Sequence, residues 1–133
     1  MSILKPSDNI SAIVSMIKNS RKFVVIVSPY TDLTGWDMLK NAINEASAKK
    51  INVSYYVREG QGSTGIEELN VSRFEVPMLH AKMFFNENEA IIGSFHLKNN
   101  IDINWAFRLN EKEEYMDLIN FFELYIKPFA KPF

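Results

Sequence analysis

Apolar and polar positions follow two rhythms along this chain. Ile10, Ile13, Val14 and Ile17 fall three and four apart, which predicts a first helix capped at Ser7 or Asp8 and ending near Asn19 and Ser20. Residues 22–28 come next, with the unbroken apolar run Phe23-Val24-Val25-Ile26-Val27 inside them. A strand that is apolar on both faces predicts burial within a parallel or mixed sheet. Pro29 and Tyr30 end it. Trp36, Leu39, Ile43 and Ala46 return to helical spacing, with Thr34 and Asp37 placed as a variant capping box and Lys49-Lys50 at the end where cations are favoured. Residues 52–57 read as a second strand. The βαβ order then implies a right-handed crossover and a largely parallel start to the sheet.

Residues 58–65 are polar and hold Gly60, Gly62 and Gly65, which reads as a mobile loop. The loop has neither the lysine nor the spacing of a phosphate-binding P-loop. A short strand is expected over 71–76. Two more, 79–85 and 90–95, flank Asn86-Glu87-Asn88-Glu89, a stretch suited to a hairpin turn. Another strand is expected over 104–109. Asn110 with Glu113 three positions on suggests a capped last helix through Ile126, with Met116, Ile119, Phe122 and Tyr125 or Ile126 as its apolar stripe. The tail, 127–133, holds two prolines and is expected to be non-helical. Together these elements predict an α/β fold, a mixed sheet flanked by helices. One domain is expected over residues 1–133, with its core at about 8–126.

Composition narrows the class. Hydrophobic residues make up 47% of the chain and aromatics 13%, which excludes a disordered chain. There is no cysteine, so disulfides, thiolate metal sites and cysteine nucleophiles are excluded together. The first ten residues have no basic segment followed by an apolar core, and the longest apolar run is too short to span a bilayer. A soluble, cytoplasmic protein without membrane contact is the expectation. The formal net charge of -1 argues against strong non-specific attraction to nucleic acid, though not against a local basic patch.

Candidate chemistry lies in residues 79–97. His80 and Lys82 are two apart, so on a strand they project to the same face. Gly93 and Ser94 close the partner strand and bring a small hydroxyl and open backbone near them. A histidine can attack phosphorus, a lysine can neutralise phosphoryl oxygens, and a glycine lets a phosphate approach the main chain. Taken singly, each residue has an ordinary structural reading; their shared spacing carries the argument.

This arrangement resembles the HKD motif of the phospholipase D superfamily: His-x-Lys, four residues, Asp, then a strand ending in Gly-Ser-x-Asn. His80, Lys82, Gly93 and Ser94 match in type and order, and Val24 to Tyr30 looks like the family's first core strand. The resemblance implies a phospholipase D-like α/β/α sandwich. It also implies a metal-independent phosphodiesterase without cofactors that works through a phosphohistidine. His80, Lys82 and Ser94 would be catalytic, and Gly93 and His96 would bind substrate. Departures are visible. Glu87 stands at the aspartate position and His96 at the asparagine. Where the family has a glutamate at the start of the next strand, this chain offers Asp102 and Asn104 as supporting groups. The family mechanism needs two such motifs and the chain has one, so a homodimer sharing one cleft is implied. Small single-motif members are mainly nucleases, which makes nucleic acid the expected substrate, alone or within a larger restriction or helicase-type assembly. The departures leave a second reading open, a catalytically weakened domain that binds nucleic acid or protein.

Overall fold

The computed structural model describes residues 1–98 and 103–133. Along the chain run β1 (Ser2–Leu4), α1 (Asn9–Lys18), β2 (Phe23–Val27), β3 (Thr31–Asp32), α2 (Asp37–Ala48), β4 (Asn52–Arg58), β5 (Ser63–Thr64) and β6 (Ser72–Val76). Then come β7 (Met83–Asn86), β8 (Ala90–Gly93), β9 (Leu97–Lys98), β10 (Ala106–Leu109), α3 (Lys112–Tyr125) and β11 (Lys131–Pro132). Eight strands form one sheet in the order β1-β10-β8-β7-β2-β4-β6-β11, and β5-β3-β9 form a small second sheet. The centre is parallel, β2 with β4 and β4 with β6, while β7, β8 and β10 run antiparallel beside it. This is the mixed α/β sandwich expected from the pattern.

The continuous apolar run explains the centre. Val24 and Ile26 pack with Ile13, Ile17, Leu39 and Ile43 of α1 and α2, while Val25 and Val27 pack with Phe122 and Ile126 on the α3 side. Alternate residues of one strand therefore serve two cores. Tyr55 is fully buried, and its hydroxyl meets Thr31 Oγ1 at 2.8 Å. Desolvation of that phenol raises its pKa beyond the ordinary tyrosine range.

Several local expectations change. Asp32 Oδ1 accepts the Thr34 N–H at 3.0 Å, so Thr34 lies in an Asx turn and α2 begins three residues later with Trp36 at its cap. The capping box is absent there. It is absent at Asn110 too, because Glu111 is the cap of α3 and makes no side-chain cap bond. Neither Ser7 nor Asp8 makes such a bond to α1. The α3 stripe is Tyr115, Leu118, Ile119, Phe122 and Ile126, leaving Met116 and Tyr125 exposed. The 58–65 loop is partly ordered, since Ser63 and Thr64 pair with Thr31 and Asp32. The strand expected over 79–85 covers only Met83–Asn86. The tail makes a short 3-10 turn at Lys127–Phe129 before β11.

Candidate active site

The site lies at the carboxyl end of β2. Because β7 runs antiparallel to β2 with Met83 opposite Val27, the residues before Met83 project past the end of the parallel strands. This is where open α/β sheets bind ligands. His80 is exposed and Lys82 half-buried on this extended segment. Leu79, 5% exposed, anchors the segment in the α3-side core, and Arg58 Nη1 donates to its carbonyl at 3.4 Å. The half-buried Arg58 thus braces the main chain beside His80. Burial lowers the pKa of Lys82 from its ordinary value.

His96 reaches the same place from the other side of the hairpin. Its ring centroid lies 6.3 Å from that of His80, and Tyr30 packs edge-on against it at 4.7 Å. The Ser28 hydroxyl accepts the Leu97 N–H at 2.8 Å and donates to the Tyr30 carbonyl at 3.0 Å, which ties the His96 segment to the end of β2. His96 Nδ1 is buried without a hydrogen-bond partner. Burial, with Lys82, Lys98 and His80 adding like-charge repulsion, pushes its pKa down to about 4. At neutral pH it is an uncharged imidazole between cations. Lys98 is a further cation here that sequence reasoning did not single out; its parallel pairing across from Asp32 gave no pattern signal.

Gly93 ends β8 opposite Ala106. A Cβ on it would lie 2.7 Å from the Phe95 ring and 2.9 Å from the Trp105 carbonyl oxygen. Close packing is therefore a reason for glycine here, beside the phosphate approach expected of it. Ser94 is exposed, but its hydroxyl accepts the Trp105 N–H at 3.2 Å and donates to Asn104 Oδ1 at 3.3 Å. Ser94 N–H donates to the Trp105 carbonyl at 3.0 Å. Ser94 and Asn104 thus close the β8–β10 end together.

The remaining candidates separate from the chemistry. Glu87 sits at the hairpin turn, at the far end of β7 from His80, and accepts N–H donors of Arg21, Lys22 and Phe23 at 3.0, 3.1 and 3.3 Å. Burial raises its pKa, but donors from Lys22, its own N–H, Arg21 and Phe23 outweigh that and lower it overall. Its role is to pin the start of β2 to the hairpin. Asp102 lies outside the described residues. The strand that follows begins at Ala106, four residues past Asp102. Among the described residues, the titratable ring nearest His80 is His96.

A mixed sheet between helices thus carries a histidine and a lysine beyond its parallel strands, with Gly-Ser closing the neighbouring strand. The fold is that of the phospholipase D superfamily. Over 99% of its length the chain matches NucT from Helicobacter pylori, with a TM-score of 0.82 at 14% identity and 98% of that chain covered. It matches the phospholipase D family member Nuc from Salmonella typhimurium over 99% of its length and 96% of that chain, with a TM-score of 0.77 at 12% identity. Phosphatidylserine synthase from Haemophilus influenzae Rd KW20 is matched over 98% of this chain but 38% of its own, with a TM-score of 0.74 at 13% identity. No protein-family model and no curated protein sequence matches the chain.

Proposed function

We propose that the chain is a metal-independent phosphodiesterase acting on nucleic acid, with His80 as nucleophile in a site shared by two copies. The observation that carries this reading is the convergence of His80, Lys82 and His96 at the carboxyl end of β2 in a phospholipase D-type fold. A histidine nitrogen of His80 attacks phosphorus, an N–P bond forms and a P–O bond breaks. His80 of a second copy gives its proton to the leaving oxygen, then takes one from the water that attacks phosphorus and breaks the N–P bond. Lys82 neutralises phosphoryl oxygens. His96, held neutral, donates a ring N–H to a phosphoryl oxygen where the family motif has an asparagine amide. Ser94 joins by exchanging its long contact with Asn104 for substrate. Nuclease action comes from the similarity to Nuc and NucT together with these residues. A cytoplasmic location remains part of the proposal; no helix among the described residues is long and apolar enough to cross a membrane.

One observation favours a second reading. Glu87, at the motif's aspartate position, is one methylene longer and is taken up by the N–H groups of Arg21, Lys22 and Phe23 at the hairpin turn, a departure that suits a weakened domain that binds nucleic acid without cutting it. Cleavage of DNA, RNA and a chromogenic phosphodiester in excess EDTA, with acid-free trapping of phosphohistidine, separates the two. Activity that vanishes in His80→Ala, with label on His80, supports the enzyme. Salt-sensitive binding without turnover supports the binder. A strict monomer that still cleaves would sink the shared site.

A further inference from the structure

Ser28 follows the last residue of β2, and every polar group it carries is taken. It is fully buried. Its N–H donates to the Tyr56 carbonyl at 3.0 Å, which keeps it in line with β4, and its carbonyl accepts the Thr31 hydroxyl at 3.0 Å. Its own hydroxyl donates to the Tyr30 carbonyl at 3.0 Å and accepts the Leu97 N–H at 2.8 Å. The order of protons behind it is fixed. Thr31 gives its single hydroxyl proton to Ser28, so the Tyr55 hydroxyl at 2.8 Å must donate to Thr31. Tyr55 is fully buried, and desolvation keeps that proton on the phenol. Three buried hydroxyls thus share one arrangement, and a fully satisfied network of this kind resists displacement.

We propose that Ser28 is a positioning residue that sets the His96 imidazole against His80. The proposal rests on the reading of His96 as a donor to the phosphoryl oxygen, and adds what holds that ring in place. Three observations support it. First, one oxygen fixes both the segment that carries the ring and the wall beside it. Leu97, the next residue, is fully buried with its N–H on Ser28, and Tyr30, whose ring packs edge-on to His96 at 4.7 Å, has its carbonyl on the same hydroxyl. Second, His80 is referred to the same place. The Pro29 carbonyl accepts the Arg58 N–H at 3.1 Å, and Arg58 Nη1 holds the Leu79 carbonyl. Both histidines are therefore tied to consecutive residues at the end of β2, where the 6.3 Å between their rings is set. Third, packing does not ask for a hydroxyl here. β2 is otherwise apolar on both faces, and β9 and β3 pair over only two residues each, so the bond from Ser28 supplies what their short ladder lacks.

The test places Ser28→Ala in two backgrounds of the full chain, the parent and His96→Ala. Cleavage of bis(4-nitrophenyl) phosphate in excess EDTA gives kcat, and NMR of the imidazole gives the titration of His96. In the parent, Ser28→Ala should lower kcat about tenfold, as expected when one hydrogen bond to a charged group is misplaced. In His96→Ala it should change kcat by less than about twofold, because the ring it positions is gone. His96 titrates at about 4 in the parent. In Ser28→Ala it should rise toward the ordinary 6.5 as the ring meets water, and stop short of it with Lys82, Lys98 and His80 still beside it. Equal losses of kcat in both backgrounds overturn the proposal, since Ser28 would then act on the fold as a whole. So does an unmoved His96 titration, or a kcat within about twofold of the parent. Ser28→Cys, similar in size but a weak hydrogen-bonding group, should fall between parent and alanine variant, and carries the same comparisons if Ser28→Ala does not fold. A parent that cleaves nothing overturns the phosphodiesterase reading, and the His96 titration then upholds or overturns the positioning role by itself.

Discussion

Gly93→Ala separates two roles that one glycine could have. In the structure an added methyl would meet Phe95 Cε1 at 2.7 Å, Phe95 Cδ1 at 2.9 Å and the Trp105 carbonyl oxygen at 2.9 Å. Non-bonded carbons rest at about 3.5–4.0 Å, so the ring would have to retreat by roughly 0.8 Å. It has little room, since Phe95 is buried and stacked on Phe84 at 5.5 Å. The carbonyl is no freer, because it accepts the Ser94 N–H and the preceding carbonyl, of Asn104, accepts Asn9 Nδ2 at 3.2 Å. Overpacking of this kind costs about 1–3 kcal/mol, and two restrained neighbours put this site at about 2–3 kcal/mol. For a chain of this size that lowers Tm by roughly 6–15 °C. Urea unfolding followed by circular dichroism gives the free energy, and phosphodiester cleavage well below Tm gives the activity. Both should fall, because relief of the clash moves Ser94 and Trp105. An inactive variant whose stability stays within about 0.5 kcal/mol of the parent would refute the packing argument and leave phosphate approach as the reason for glycine.

Three other outcomes follow from the same geometry. Lys82→Gln should reduce kcat by about 10²- to 10³-fold through loss of the cation facing the phosphoryl oxygens, and a loss below tenfold in steady-state cleavage would remove Lys82 from the mechanism. Glu87→Gln should lower stability by about 1 kcal/mol at neutral pH with little change in activity. Because the folded pKa of Glu87 is depressed, its contribution is present above the unfolded value near 4.5 and is lost as pH falls through the folded one. Urea titrations of parent and variant should therefore converge in acid. The folded pKa of His96 lies at about 4 against an ordinary 6.5, so the unfolded chain binds the extra proton first and parent stability should decline as pH falls between those values. His96→Asn should flatten that decline while keeping most of the activity; an unchanged acid profile would mean the imidazole is not held neutral.

The centre of the fold was legible because its signals are long. Five consecutive apolar residues announce a strand buried on both faces, and helical spacing from Ile10 to Ile17 survives any reasonable end effect. What escaped depends on distant partners. Neither β1 nor β11 exceeds three residues, too short for a periodicity, and each exists through pairing with β10 or β6. Both capping boxes were plausible in sequence, but Asp32 takes the Thr34 N–H and the helix starts beyond it. The α3 stripe held at Ile119, Phe122 and Ile126 but slipped at its start, because Tyr115 and Met116 suit a core equally and only the sheet selects between them. Residue types marked His80, Lys82, Gly93, Ser94 and His96 as candidates. The closeness of His96 to His80 and the brace from Arg58 arise from the way β2, β4, β7 and β8 align.

The β7–β8 hairpin is built unevenly along its length. At its turn, buried Asn86 donates to the Met16 carbonyl and Ser20 Oγ, accepts the N–H groups of Asn88 and Glu89, and receives the Tyr115 hydroxyl on its own carbonyl at 2.6 Å. One residue fastens α1, the turn and α3 together. At the opposite tip, His80 and Lys82 lie outside the ladder, beyond Met78 with its left-handed φ of 58°. There the buried Leu79 and the Arg58 bond to its carbonyl take over from the ladder, so the hairpin is held at both ends by different means. Its turn is tied to α1 and α3 and its tip to β4, and a change at either end reaches a different part of the core.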